Sequence, residues 1–70
     1  MNYRYEIDIK PVSAARGGGY MAVVPDLPGC KSDGETREEA LRNAYDAIDC
    51  WIEAAEEMGR AIPEPRLELA

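Results

Sequence analysis

The sequence predicts a single small α+β domain, read as β-β-β-α-β, with one long helix packed on an antiparallel sheet. Three observations carry this. Residues 3–10 alternate apolar and charged side chains at period two, and a capped amphipathic pattern runs from Thr36 to Met58. Between them, short apolar runs are separated by clusters of glycine and proline. With 70 residues there is room for one domain, residues 1–70. A chain this short hides only about 60% of its unfolded surface, so its core supplies roughly 3–5 kcal/mol.

In the first element Tyr3, Tyr5, Ile7 and Ile9 take the odd positions and are expected to face the core, with Arg4, Glu6, Asp8 and Lys10 in water. Pro11 has no N–H for a ladder and is expected to end the strand or lie at its edge. Ser13 to Gly19 reads as a flexible connection into a second strand over Tyr20–Val24, paired antiparallel with the first. The three successive glycines are not read as a phosphate cradle, because neither a helix nor a Lys-Ser/Thr pair follows them.

Pro25 to Cys30 is dense in turn formers: two prolines fix φ, and Gly29 accepts a positive φ. A short third strand over about residues 30–33 and a turn at Asp33-Gly34 are expected next. Thr36 and Glu39 then form a capping box, in which the hydroxyl accepts from the first turn and the carboxylate reaches back to the Thr36 amide. Glu38 and Glu39 suit the positive end of the helix dipole, and Gly59 with Pro63 marks the stop.

At about 100° per residue, Leu41, Ala44, Ile48, Ile52 and Ala55 form the centre of the apolar face, with Tyr45 at one edge. Ala40, Ala47, Trp51, Ala54 and Met58 widen it on the other side. This flank makes Ala47, Trp51 and Ala54 candidates for a subunit contact. Leu67 and Leu69, in an alternating segment that would pair with the sheet edge or with another subunit, join them. Asp46, Asp49, Glu53, Glu56 and Glu57 lie opposite and form an acidic face.

Function classes are narrowed by what the chain contains. The net charge is −6, from fourteen acidic and eight basic residues, and all of it comes from residues 31–70. Direct nucleic-acid binding is not expected, because phosphate contact rests on clustered Lys and Arg. There is no histidine, hence no Ser-His or Cys-His couple and no imidazole ligand. Cys30 and Cys50 lack the spacing of a zinc site and read as ordinary reduced thiols. Asp8, Asp26 and Asp33 lie in or beside strands, but one is on a wet face and two are in turns, so no metal site is expected. No enzyme, cofactor or metal is therefore expected. With no apolar run of the ~20 residues that span a bilayer, a cytoplasmic protein is.

The run from Tyr20 to Cys30, containing Pro25-Asp26-Leu27-Pro28-Gly29-Cys30, resembles the HicB family of antitoxins. So do Asp33 to Ala40, Asn43-Ala44, Ala47-Ile48 and Gly59 to Pro65. The resemblance covers most of the chain from Tyr20 to Pro65. It implies a β-β-β-α-β domain described as partial ribonuclease-H-like, without a working carboxylate set. It also implies a partner, a HicA-type toxin, small and basic, that cleaves messenger RNA and is neutralised by occlusion. Homo-oligomers, dimer or tetramer, are expected beside it. Pro25, Asp26, Leu27, Pro28, Gly29 and Cys30 are the motif loop and candidates for partner contact, as is the acidic helix face, since a basic toxin seeks negative charge. Many HicB antitoxins continue into a DNA-binding region. This sequence stops at Ala70, so DNA binding is not carried over. The alternative reading is an orphan HicB-like domain that self-assembles without a toxin.

Overall fold

The computed structural model describes residues 5–64. Three strands, β1 (Asp8–Pro11), β2 (Tyr20–Val23) and β3 (Lys31–Gly34), form an antiparallel sheet in the order β1-β2-β3, and α1 (Arg37–Glu57) covers one face. The predicted α+β class and the order of the four elements are those observed. Tyr3 and the alternating segment with Leu67 and Leu69 lie outside the described residues.

β1 is shorter than the alternation predicts, and the reason is its partner. Asp8 pairs with Val23 and Pro11 with Tyr20, so extending β1 back to Tyr5 would require residues 24–26 as partners. The chain has turned there: the Val24 amide donates to the Cys30 carbonyl instead. The alternation still holds, because Ile7 and Ile9 pack against the core under α1. Pro11 is the last residue of its strand.

The connection between β1 and β2 folds into a hydrogen-bonded turn. A single 3-10 turn over Ala14–Arg16 is followed by three glycines at positive φ. Ser13 O accepts from both Arg16 N and Gly18 N, and Val12 N donates to Gly19 O at 2.8 Å. Local backbone bonding, which composition does not reveal, sets this hairpin.

Thr36 caps α1 and its hydroxyl accepts from the Glu39 amide at 3.1 Å. The returning carboxylate departs from expectation: Glu39 Oε1 accepts from the Glu35 amide at 2.6 Å, not from Thr36. The end of β3 passes directly over the first turn, and this close approach puts the Glu35 amide within reach. At the other end Gly59, φ +69, lets Arg60 N return to Ala55 O at 2.8 Å and closes the helix.

The core has two parts. Under the first half of α1, Ala22, Ala40 and Ala44 are fully buried, and their small size lets helix and sheet backbones approach closely. Under the second half, Val24, Leu27, Cys30 and Ile48 pack together with Tyr5, Ile7, Ala47, Trp51 and Ile52 at the margin. The predicted helix face is therefore divided. Ala40, Ala44, Ile48 and Ala55 are buried, whereas Ala54, Tyr45 and Met58 are exposed.

Candidate functional site

The motif loop is built from two successive turns. Leu27 N donates to Val24 O at 3.1 Å, and Cys30 N donates to Leu27 O at 2.9 Å. In the second turn Pro28 and Gly29 (φ +80) occupy the two central positions, the arrangement a type II turn needs. Leu27, fully buried, plugs the core from inside the loop.

The loop is thus divided between two tasks. Pro25, Pro28 and Gly29 are exposed and Asp26 is half-buried, so these four can meet a partner. Leu27 and Cys30 are 0% and 4% exposed and anchor the loop in the core. Of the six motif residues four are thus open to a partner and two are buried, because a loop this short over an open core end supplies its own apolar plug.

Two ties that the residue pattern does not announce hold the loop and its surroundings. Trp51 Nε1 donates to the Pro28 carbonyl at 2.9 Å, joining α1 to the outer turn. The Tyr5 hydroxyl donates to the Pro63 carbonyl, which ties the segment before β1 to the segment after α1. Burial, and then the negative charges of Asp26 and Glu64, hold the Tyr5 hydroxyl above its usual 10.0. The motif loop, the N-terminal segment and the post-helix segment therefore converge around Tyr5. At the other end of the molecule, Asn43 Nδ2 donates to Asp33 O at 2.8 Å and Ser32 Oγ donates to Ala40 O at 3.2 Å, fastening β3 to α1. Arg37 lies 5.5 Å from the Tyr20 ring, a cation–π contact over the helix start.

Asp46, Asp49, Glu53, Glu56 and Glu57 are all exposed on the outer side of α1. α1 carries seven acidic and two basic side chains, and its last turn contains no basic one. Glu56 and Glu57 stand at the negative end of the helix dipole, and Asp49, Glu53 and Glu57 repeat at four-residue spacing as like charges. Both arrangements oppose folding in isolation and are relieved by an external cation. Of the proposed subunit-contact residues, Ala47 and Trp51 are half-buried and Ala54 is exposed, while Leu67 and Leu69 lie outside the described residues. Part of Trp51 is committed to the loop within its own chain.

Among the described residues no three His, Cys, Asp or Glu side chains are placed to hold a metal ion. Asp8 and Asp33 sit on opposite outer strands, and Asp26 is in the motif loop. Burial, then the charge of neighbouring Cys50, pushes the Cys30 thiol above its usual 9.0, the reverse of nucleophile activation. No helix among the described residues is long and apolar enough to cross a membrane.

Fold and surface together define a small helix-on-sheet α+β domain whose distinguishing features are a rigid turn motif and an acidic helix. The model of the HicB-like antitoxins of bacterial toxin–antitoxin systems matches residues 5–68, and this chain belongs to that family. Antitoxin HicB 1 of Photorhabdus laumondii is 41% identical over 64 residues, covering 91% of this chain and 39% of that protein. A UPF0150 protein of Synechocystis is 36% identical over 66 residues, 94% of this chain and 86% of its own length. A UPF0150 protein of Thermoplasma acidophilum is 41% identical over 51 residues, 73% of this chain and 74% of its own. The chain thus spans about two fifths of the relative named as an antitoxin and most of the two UPF0150 proteins.

Proposed function

We propose that this protein is a cytoplasmic antitoxin that binds a HicA-type, mRNA-cleaving toxin and blocks it by occlusion, acting as a binder and not as an enzyme. The observation that carries the reading is the exposed acidic side of α1, Asp46, Asp49, Glu53, Glu56 and Glu57, on a chain of the HicB-like family. Uncompensated negative charge in the last turn costs stability that a bound cationic partner returns. It also steers a basic protein towards the helix and raises the association rate. The exposed turn at Pro25, Asp26, Pro28 and Gly29 supplies a rigid rim that loses little conformational freedom on binding. Self-association into a dimer or tetramer belongs to the same reading.

Coexpression tests it. A neighbouring reading frame encoding a small basic protein should arrest growth alone and be neutralised by this chain. Reversing Asp49, Glu53 and Glu56 to lysine should abolish rescue and copurification while the circular dichroism spectrum is retained. Rescue that survives the triple reversal would remove the acidic helix from the interface. Absence of any toxin that copurifies would leave the orphan assembly domain.

A further inference from the structure

The face of the sheet turned away from α1 is not plain solvent surface. Asp8, Val23 and Lys31 stand in register across the three strands, and Lys10, Met21 and Asp33 form the adjacent row on the same face. Met21 and Val23 are 41% and 36% exposed, so the central strand presents a short apolar stripe. A charge stands at each of its four corners, with like charges on the diagonals.

We propose that this face is the contact between two copies of the chain, packed sheet on sheet about an in-plane two-fold axis. The charge pattern selects a second copy. With the axis along β2, Asp8 of one copy meets Lys31 of the other and Lys10 meets Asp33, while Val23 and Met21 each meet themselves. With the axis across β2, Asp8 meets Lys10, Lys31 meets Asp33, and Val23 meets Met21. Every corner is satisfied in both cases, because like charges stand on the diagonals; were they side by side, only one of the two axes would pair them. Within one chain, β1 and β3 are two strand spacings apart, about 9.5 Å, so an Asp8–Lys31 pair would need both side chains laid flat and extended over the apolar stripe. Packed sheets align their strands within about 30°, compatible with either axis.

A uniformly basic partner would meet both signs of charge here and gain little, whereas the acidic helix on the opposite side stays free for it. The face is small beside the roughly 800 Å² per partner of a standard interface, so the expected dimer is weak and salt-sensitive. The inference rests on the self-association proposed above and is independent of the toxin.

Sedimentation equilibrium of the full chain at low and high salt tests it, with circular dichroism as the check on folding. The expected result is a reversible dimer that salt weakens. Lys31→Glu places like charges at two corners of either dimer and should weaken association by about tenfold or more. Restoration by adding Asp8→Lys identifies the axis along β2, and restoration by adding Asp33→Lys the axis across it; either supports the proposal. A dimer indifferent to Lys31→Glu and to Met21→Ser but lost on Ala54→Glu overturns the sheet-face contact while self-association stands. A monomer at every concentration overturns both, and toxin copurification is unaffected in each case.

Discussion

Gly34→Ala should be close to intolerable, for a reason that lies outside the turn in which glycine is usually explained. A Cβ at Gly34 would lie 2.8 Å from the Glu39 carbonyl carbon and 2.9 Å from Ala40 Cα, with the Ala40 amide closer still. Carbon atoms rest about 3.5–4.0 Å apart, so α1 must retreat by roughly 0.7 Å or more. The obstacle is helix backbone and cannot rotate aside. Retreat opens the contact between Ala22 and the Ala40/Ala44 pair and stretches two bonds, Ser32 Oγ to Ala40 O at 3.2 Å and Asn43 Nδ2 to Asp33 O at 2.8 Å. Overpacking costs about 1–3 kcal/mol and each weakened hydrogen bond about 0.5–1.5 kcal/mol. A loss near 3 kcal/mol, set against roughly 3–5 kcal/mol for so small a core, takes most of the stability. At about 4–8 °C per kcal/mol, the melting temperature should fall by about 12 °C or more. Far-UV circular dichroism on heating and in urea measures this. Gly29→Ala is the control: φ is +80 but the space is open, so its cost is backbone strain alone, about 1–2 kcal/mol. A Gly34→Ala protein that melts within about 3 °C of the parent, or no lower than Gly29→Ala, would refute the close-approach reasoning.

Glu57→Lys should stabilise the domain by about 1 kcal/mol, since it relieves the dipole and turns the repulsion with Glu53 into an attraction at four-residue spacing. The same variant should bind toxin more weakly, which a melt and a pull-down measure together. Trp51→Phe removes the donor to Pro28 O and leaves that carbonyl to water, and should cost about 1 kcal/mol in a urea titration. Stability should decline as pH rises above 9.0. Cys30 and then Tyr5 are held neutral in the folded state while the unfolded chain has released those protons. A melting temperature that stays level from about pH 8 to 11 would contradict it. In native protein a thiol reagent should modify exposed Cys50 and spare buried Cys30 until denaturant is added.

Much of the candidate surface was legible in the residues. The 3.6-residue spacing of Asp46, Asp49, Glu53, Glu56 and Glu57 places them on one side of any helix, and they are exposed there. Pro28-Gly29 announces its turn because few other pairs satisfy the backbone angles. The divided role of the motif loop was not legible. Whether Leu27 and Cys30 face a partner or the core depends on what lies beneath the loop, and Ile48 and Trp51 arrive from eighteen or more residues away along the chain. The Tyr5–Pro63 tie joins residues 58 apart in sequence, and no local pattern encodes it.

By itself the sequence determined the α+β class, the caps and limits of α1, the antiparallel β1–β2 hairpin and the side of the helix that carries its charge. These follow from local backbone preference and from periodicity, both written in consecutive residues. Only the tertiary structure decided how much of the alternating first segment becomes strand, because a ladder needs a partner and β2 ends at Val23. It also decided that Gly34 is a contact point between sheet and helix. Above all, it set the register that brings Asp8, Lys10, Met21, Val23, Lys31 and Asp33 onto one face. Register comes from hairpin geometry and core packing acting together, so a surface spread over three strands has no signature in any one of them.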